Sequence, residues 1–113
     1  MSDGEFATVE DMAGGGNDYV GIMMAKSEEG GAVARVMARV EGVEIIEQPA
    51  FWEIKAPHRM AISYDEVGEE LGVDDIDGYA LQREMSTYYG RMVATDDDLL
   101  LFADPAEAME HLM

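Results

Sequence analysis

Apolar positions along the chain come in short runs with two different periods. Tyr19–Ala25 is a nearly unbroken apolar run, expected to form a buried strand. Glu28-Glu29-Gly30-Gly31 breaks it. Val33, Val36, Met37 and Val40 then fall at i, i+3, i+4 and i+7, the spacing of one face of an amphipathic helix, and Gly42 is the expected stop. Arg35 and Arg39 lie one turn apart on another face of the same helix. Val43–Glu47 is rich in β-branched residues and Pro49 punctuates it. Phe51–Ala56 then alternates, with Trp52 and Ile54 sharing a face. Pro57-His58 predicts a turn, after which Met60, Ile62 and Tyr64 share one face of the next strand.

In the second half the period changes again. Asp65 is placed to cap a short helix over 66–71 that Gly72 stops, and 76–85 is a second helical stretch. Tyr88–Ala94 and Leu99–Ala103 read as a hairpin turned by Asp96-Asp97-Asp98. Asp104-Pro105 opens a last helix, with Asp104 at the cap, Pro105 at the first position and Glu107 in the first turn. The expected order is β-α-β-β-β-α-α-β-β-α. That is an α/β (α+β) chain of short elements, one small domain over 17–113. Residues 1–16 are acidic, end in Gly14-Gly15-Gly16 and carry no period, so they are expected to be a flexible N-terminal tail.

Charge narrows the class of partner. The formal net charge is −18 over 113 residues. Phosphate binding needs a basic stripe, so nucleic acid is excluded, and an anionic membrane surface would be repelled as well. A partner with a basic or mixed groove fits better, although acidic surfaces also serve solubility alone. Ten methionines give a core or contact surface of adaptable shape. With no cysteine there is neither a disulfide framework nor a thiolate-held iron–sulfur cluster. No apolar stretch approaches the ~20 residues of a membrane helix, and the N-terminus has no signal-peptide pattern. A cytoplasmic location is expected.

Motifs for chemistry are missing. Gly14–Gly16 lacks the strand before it and the Lys-Ser/Thr after it that a phosphate loop needs. His58 and His111 stand alone, and the Glu-x-x-His spacing of a diiron helix bundle does not occur. Asp75, Asp77, Gly78 and Glu84 fit part of a calcium loop, but its first position would be Val73, which offers no oxygen ligand; a solvated helix start explains them as well. Arg35 and Arg39 admit two readings: a helix face paired with local carboxylates, or a docking patch for an acidic partner surface.

Several segments, taken in order, carry a resemblance. They are Asn17-Asp18-Tyr19-Val20-Gly21-Ile22-Met23, Phe51-Trp52-Glu53-Ile54-Lys55-Ala56, Asp65-Glu66-Val67-Gly68-Glu69-Glu70-Leu71-Gly72 and Ser86-Thr87-Tyr88-Tyr89-Gly90-Arg91. Together they resemble the methane monooxygenase regulatory protein B/phenol hydroxylase effector family over about residues 17–103. The resemblance implies two small sheet-and-helix halves, no cofactor and no catalytic activity. It implies a chain that is monomeric when free and docks over the diiron site of a hydroxylase, tuning substrate and oxygen access and coupling. Within the family the chain looks most like coupling proteins of short-chain alkane and alkene monooxygenases. An effector of an aromatic (phenol or toluene) hydroxylase stays open, as does, from another class, an acidic interaction or inhibitor module. The expected partner-facing residues are Met23, Arg35, Arg39, Phe51, Ser86, Thr87, Tyr88, Tyr89 and Arg91. Of the adjoining tyrosines 88 and 89, strand alternation should bury one and leave the other free.

Overall fold

Residues 18–112 are described by the computed structural model. The expected tail, 1–16, lies outside the described residues. The elements are β1 (Tyr19–Ala25), α1 (Glu28–Met37), β2 (Glu44–Glu47), β3 (Phe51–Pro57), β4 (Arg59–Ser63), α2 (Tyr64–Leu71), α3 (Gly78–Arg83), β5 (Met85–Tyr89), β6 (Arg91–Ala94), β7 (Asp98–Phe102) and α4 (Pro105–Leu112). The mixed α/β class expected from the pattern holds. One element is added, because the run 88–94 is two strands rather than one.

The strands form two antiparallel sheets. The first has the order β2-β3-β1-β5 and the second β4-β7-β6. One face of the first sheet buries Val20, Ile22, Met24 and Ile54 against Val33, Val36 and Met37 of α1, and the inner face of the second sheet adds Met60, Ile62, Leu99 and Leu101 to the same core. Each such aliphatic side chain contributes about 1.5–3 kcal/mol on burial, so the core joins both halves into one unit.

Local chemistry moves several boundaries. Glu28-Glu29-Gly30-Gly31, expected to be a break, is the first turn of α1. Ser27 caps it, its Oγ accepting from the Gly30 N–H at 3.0 Å. Gly30 sits where a Cβ would lie 1.8 Å from the Ala25 carbonyl oxygen, so α1 turns back tightly over the end of β1. The helix also stops sooner than its apolar spacing implies. Met37 is its last residue, Ala38 is the cap and Val40 is exposed. α2 is capped by Ser63, whose Oγ accepts from the Glu66 N–H, rather than by Asp65, which lies in the first turn. α3 is shorter than 76–85 because Asp77 caps it and Met85 already belongs to β5. α4 starts as expected, with Asp104 Oδ1 accepting from the Ala106 N–H at 2.9 Å ahead of the first turn.

The chain crosses from the first sheet to the second twice, each time through a single residue: His58 between β3 and β4, and Gly90 between β5 and β6. β5 ends at Tyr89, β6 begins at Arg91, and Gly90 between them has φ +116°, a conformation open to glycine and strained for L side chains. A Cβ there would also press within 2.8 Å of Val20 and 3.2 Å of the Phe102 carbonyl oxygen.

Candidate functional site

Antiparallel pairing puts opposed residues on the same face. In β1, Gly21 opposes Lys55 on one side and Tyr89 on the other, while Met23 opposes Glu53 and Thr87. Ala25 opposes Phe51, and across β3 Glu53 opposes Ile46. Residues of this set all lie on the face of the first sheet turned away from α1. Four of the expected partner-facing residues, Met23, Phe51, Thr87 and Tyr89, are therefore brought together on one open face.

The centre of that face is built by Tyr89. Its ring lies across β1 at Gly21, where a Cβ would come within 2.4 Å of the ring carbon Cζ and 2.5 Å of the hydroxyl oxygen. Across the gap its hydroxyl donates to Glu53 Oε2 of β3 at 3.1 Å. One aromatic side chain thus bridges three strands. Burial, then the charge and hydrogen bond of Glu53, push the Tyr89 phenol above its ordinary range, so the hydroxyl stays a donor. Lys55 Nζ sits 5.4 Å over the Tyr19 ring at one end of the face. The result is a mixed surface in which Met23, Phe51 and the Tyr89 ring lie beside the polar groups of Glu53, Lys55 and Thr87.

At its β5 edge the face is irregular. Pairing with β1 slips between Met23 and Met24, which leaves Ser86 as an extra residue opposite Met23; its Oγ donates to the Met23 carbonyl oxygen at 3.4 Å. Ser86, Thr87 and Tyr88 are exposed, and β5 is the edge strand of the first sheet. Register puts the two tyrosines on opposite faces as expected, but neither is buried in the core. Tyr89 is the half-buried one on the open face, and Tyr88, opposite Ile22, points to the other face but projects past the core, 47% exposed. Arg91 is exposed on β6, in the second sheet.

Arg35 and Arg39 are elsewhere. Arg35 of α1 and Arg39, just past its end, reach one acid of α2, Arg35 Nε holding Glu70 Oε2 at 2.7 Å and Arg39 holding Glu70 Oε1. The Arg35 and Arg39 hydrogen bonds hold the Glu70 carboxyl below its usual value. Of the two readings of this pair, the paired one is what the geometry provides, with the acid far away in sequence. Glu53 and Gly21, both central to the open face, were not among the expected residues. Glu53 carries no signal in so acidic a chain, whereas a glycine inside an apolar strand marks a close approach.

Among the described residues, no group of three or more His, Cys, Asp or Glu side chains is placed to hold a metal ion, and no helix is long and apolar enough to cross a membrane. What the open face offers is shape and contact.

Known proteins carry the same fold and sequence pattern. The effector component of propane 2-monooxygenase from Mycolicibacterium smegmatis is 38% identical over 92 residues, covering 81% of this chain and 80% of that protein. The corresponding component from Gordonia sp. (strain TY-5) is 38% identical over 96 residues, covering 85% and 86%. Among solved structures, the phenol hydroxylase–regulatory protein complex includes a chain with a TM-score of 0.64 and 25% identity, covering 74% of this chain and 98% of that one. The soluble methane monooxygenase regulatory protein B shares the fold, with a TM-score of 0.63 at 19% identity, covering 96% of this chain and 81% of that one. The model of the MmoB/DmpM family matches residues 18–102, the span from β1 to the end of β7 that builds both sheets, and the chain belongs to that family.

Proposed function

We propose that this chain is the non-catalytic effector component of a multicomponent diiron monooxygenase acting on propane or a similar short alkane. In this reading it docks on the hydroxylase and tunes access of substrate and oxygen to the metal site. The observation that carries it is the identity with propane 2-monooxygenase effector components across about four-fifths of both chains. That favours the alkane reading over an aromatic hydroxylase, whose regulatory protein matches at 25%. An acidic mimic would need regularly spaced carboxylates, and the open face of the first sheet is instead aromatic and thioether in character. A cytoplasmic location and a monomeric free state go with this reading.

The proposed contact surface is that open face, with Met23, Phe51, Thr87 and Tyr89 at its centre and Ser86 along its β5 edge. Large rigid aromatics lose little entropy on docking, and they anchor interfaces. Small hydroxyl side chains at Ser86 and Thr87 leave room beside them. The test is reconstitution: purified hydroxylase and its electron-transfer partners are assayed for propane oxidation with and without this chain. A stimulated rate, or more product per reducing equivalent, is expected. Equal rate and coupling at saturating concentrations of the chain would reject the reading.

A further inference from the structure

The seven basic residues are not used alike. Lys26 pairs with Glu47, Lys55 with Glu44, and Arg35 and Arg39 with Glu70. Arg83 lies over the Tyr79 ring. Arg59 and Arg91 are both exposed, and neither makes an ion pair or hydrogen bond among the described residues. Among the described residues three arginines, Arg59, Arg83 and Arg91, pair with no carboxylate, and Arg59 and Arg91 alone also lack a ring partner. They also share one place. Phe102 of β7 opposes Arg59 on one side and Arg91 on the other, so the three form a single row across the outer face of the second sheet. Two strand spacings separate the arginine backbones, roughly 10 Å.

The rest of that face is apolar and only partly covered. α4 crosses it, packing Ala108 on Val93 and Phe102 and stacking His111 on the Phe102 ring with centroids 4.9 Å apart. One eight-residue helix cannot cover three strands, and a groove of about 370 Å³ remains on each side. The first is lined by Tyr88, Arg91, Met92, Val93, Pro105 and Met109. In it Tyr88 and Met109 are about half exposed, at 47% and 55%. The second is lined by Arg59, Met60, Ala61, Leu100, Phe102 and His111. Each groove therefore combines an apolar wall with one unpaired guanidinium.

We propose that this outer face is a second docking surface, separate from the open face of the first sheet, and that it receives an acidic segment of the hydroxylase straddling α4. The fitting segment places two carboxylates about 10 Å apart on Arg59 and Arg91 and seats an apolar side chain between Tyr88 and Met109. Charge complementarity selects this occupant. With a net charge of −18 the protein repels a second copy of itself, nucleic acid and anionic lipid alike, and the two free arginines are where an acidic protein surface can approach. The match to the family model ends at residue 102, before α4 begins.

The inference rests on the proposed function, and the experiment separates the two. Binding to the purified hydroxylase is followed by fluorescence anisotropy of the labelled full chain at low and high ionic strength, with circular dichroism melts confirming the fold of each variant. Arg59→Glu with Arg91→Glu should raise Kd at least about tenfold at low salt, and the gap should narrow as salt rises. Arg59→Gln with Arg91→Gln, which removes charge without reversing it, should give a smaller loss in the same direction and serves if the reversal does not fold. Arg83→Glu, a charge reversal on α3 that lines neither groove, should stay within about twofold of wild type. Wild-type affinity in both double variants overturns the docking surface while leaving the effector reading standing. A loss at Arg83→Glu as large as at the pair would mean that overall charge governs binding, and it also overturns the surface. No binding by the wild-type chain would overturn both.

Discussion

Gly21→Ala should destabilise the protein, opposite in sign to the usual effect of filling a glycine in a strand. Alanine in place of a strand glycine ordinarily gains about 0.5–1 kcal/mol, chiefly through chain entropy. Here the added methyl would lie 2.4 Å from the Tyr89 ring carbon, about 1 Å short of ordinary contact. The ring must lift, and its hydroxyl then loses Glu53, now 3.1 Å away. A hydrogen bond to a charged acceptor contributes about 1.5–3 kcal/mol, toward the lower end on a half-exposed face. The net expectation is a loss of about 1 kcal/mol, the hydrogen-bond loss outweighing the entropy gain. Urea unfolding should show a lower midpoint with an unchanged m-value. The double variant Gly21→Ala/Tyr89→Ala completes a cycle, and removing the ring should abolish the penalty, giving a coupling of about 1–2 kcal/mol. The phenol gives an independent readout. Freed from burial and from Glu53, Tyr89 should ionise closer to its ordinary value of 10.0, visible by absorbance at alkaline pH. If Gly21→Ala matches or exceeds wild-type stability, or its effect is the same with and without the Tyr89 ring, the ring does not span β1 as described.

Two more outcomes follow from the same contacts. Glu70→Gln should lower stability at neutral pH; because the folded pKa of Glu70 is depressed, the difference from wild type should hold above the ordinary value of 4.5 and vanish as pH falls through the folded value, as read by urea midpoints across pH. Thr87→Tyr places a bulky group on the exposed β5 edge and should fold normally yet change turnover, coupling or product distribution in the reconstituted system; wild-type kinetics and products from a folded Thr87→Tyr would remove this edge from the contact surface.

Much of the architecture was legible because burial imposes a period. The run Tyr19–Ala25, the alternation of Phe51–Ala56 and Met60–Ile62, and the Asp104-Pro105 helix start became elements with the expected faces, whereas Tyr64, expected on the strand, opens α2. The errors have local causes. α1 begins inside Glu28-Glu29-Gly30-Gly31 because the cap is Ser27 and the glycine serves a tight approach to Ala25, a tertiary demand that overrides its low helix propensity. The run 88–94 divides because Gly90 turns the chain from one sheet to the other, and strand-forming residues on both sides hide the corner. The spacing of Arg35 and Arg39 keeps both off the core, but their partner lies 35 positions from Arg35, a separation no periodic pattern reveals. The open face itself required register: only pairing shows that Met23, Phe51, Thr87 and Tyr89 share it.

The one-residue corner at Gly90 also limits how the chain can change length. Strand faces alternate with every residue, so an amino acid inserted between Tyr89 and Arg91 would have to be absorbed by shifting β5 or β6. Either shift exchanges inside for outside: Tyr89 would leave Gly21, or Val93 would leave Ala108. The bend before β2 and the Thr95–Asp97 turn meet less of this demand, since Arg39–Gly42 and Asp96–Asp97 are exposed. Insertions and deletions among natural versions of this protein should therefore collect at those two turns and be absent from the corner.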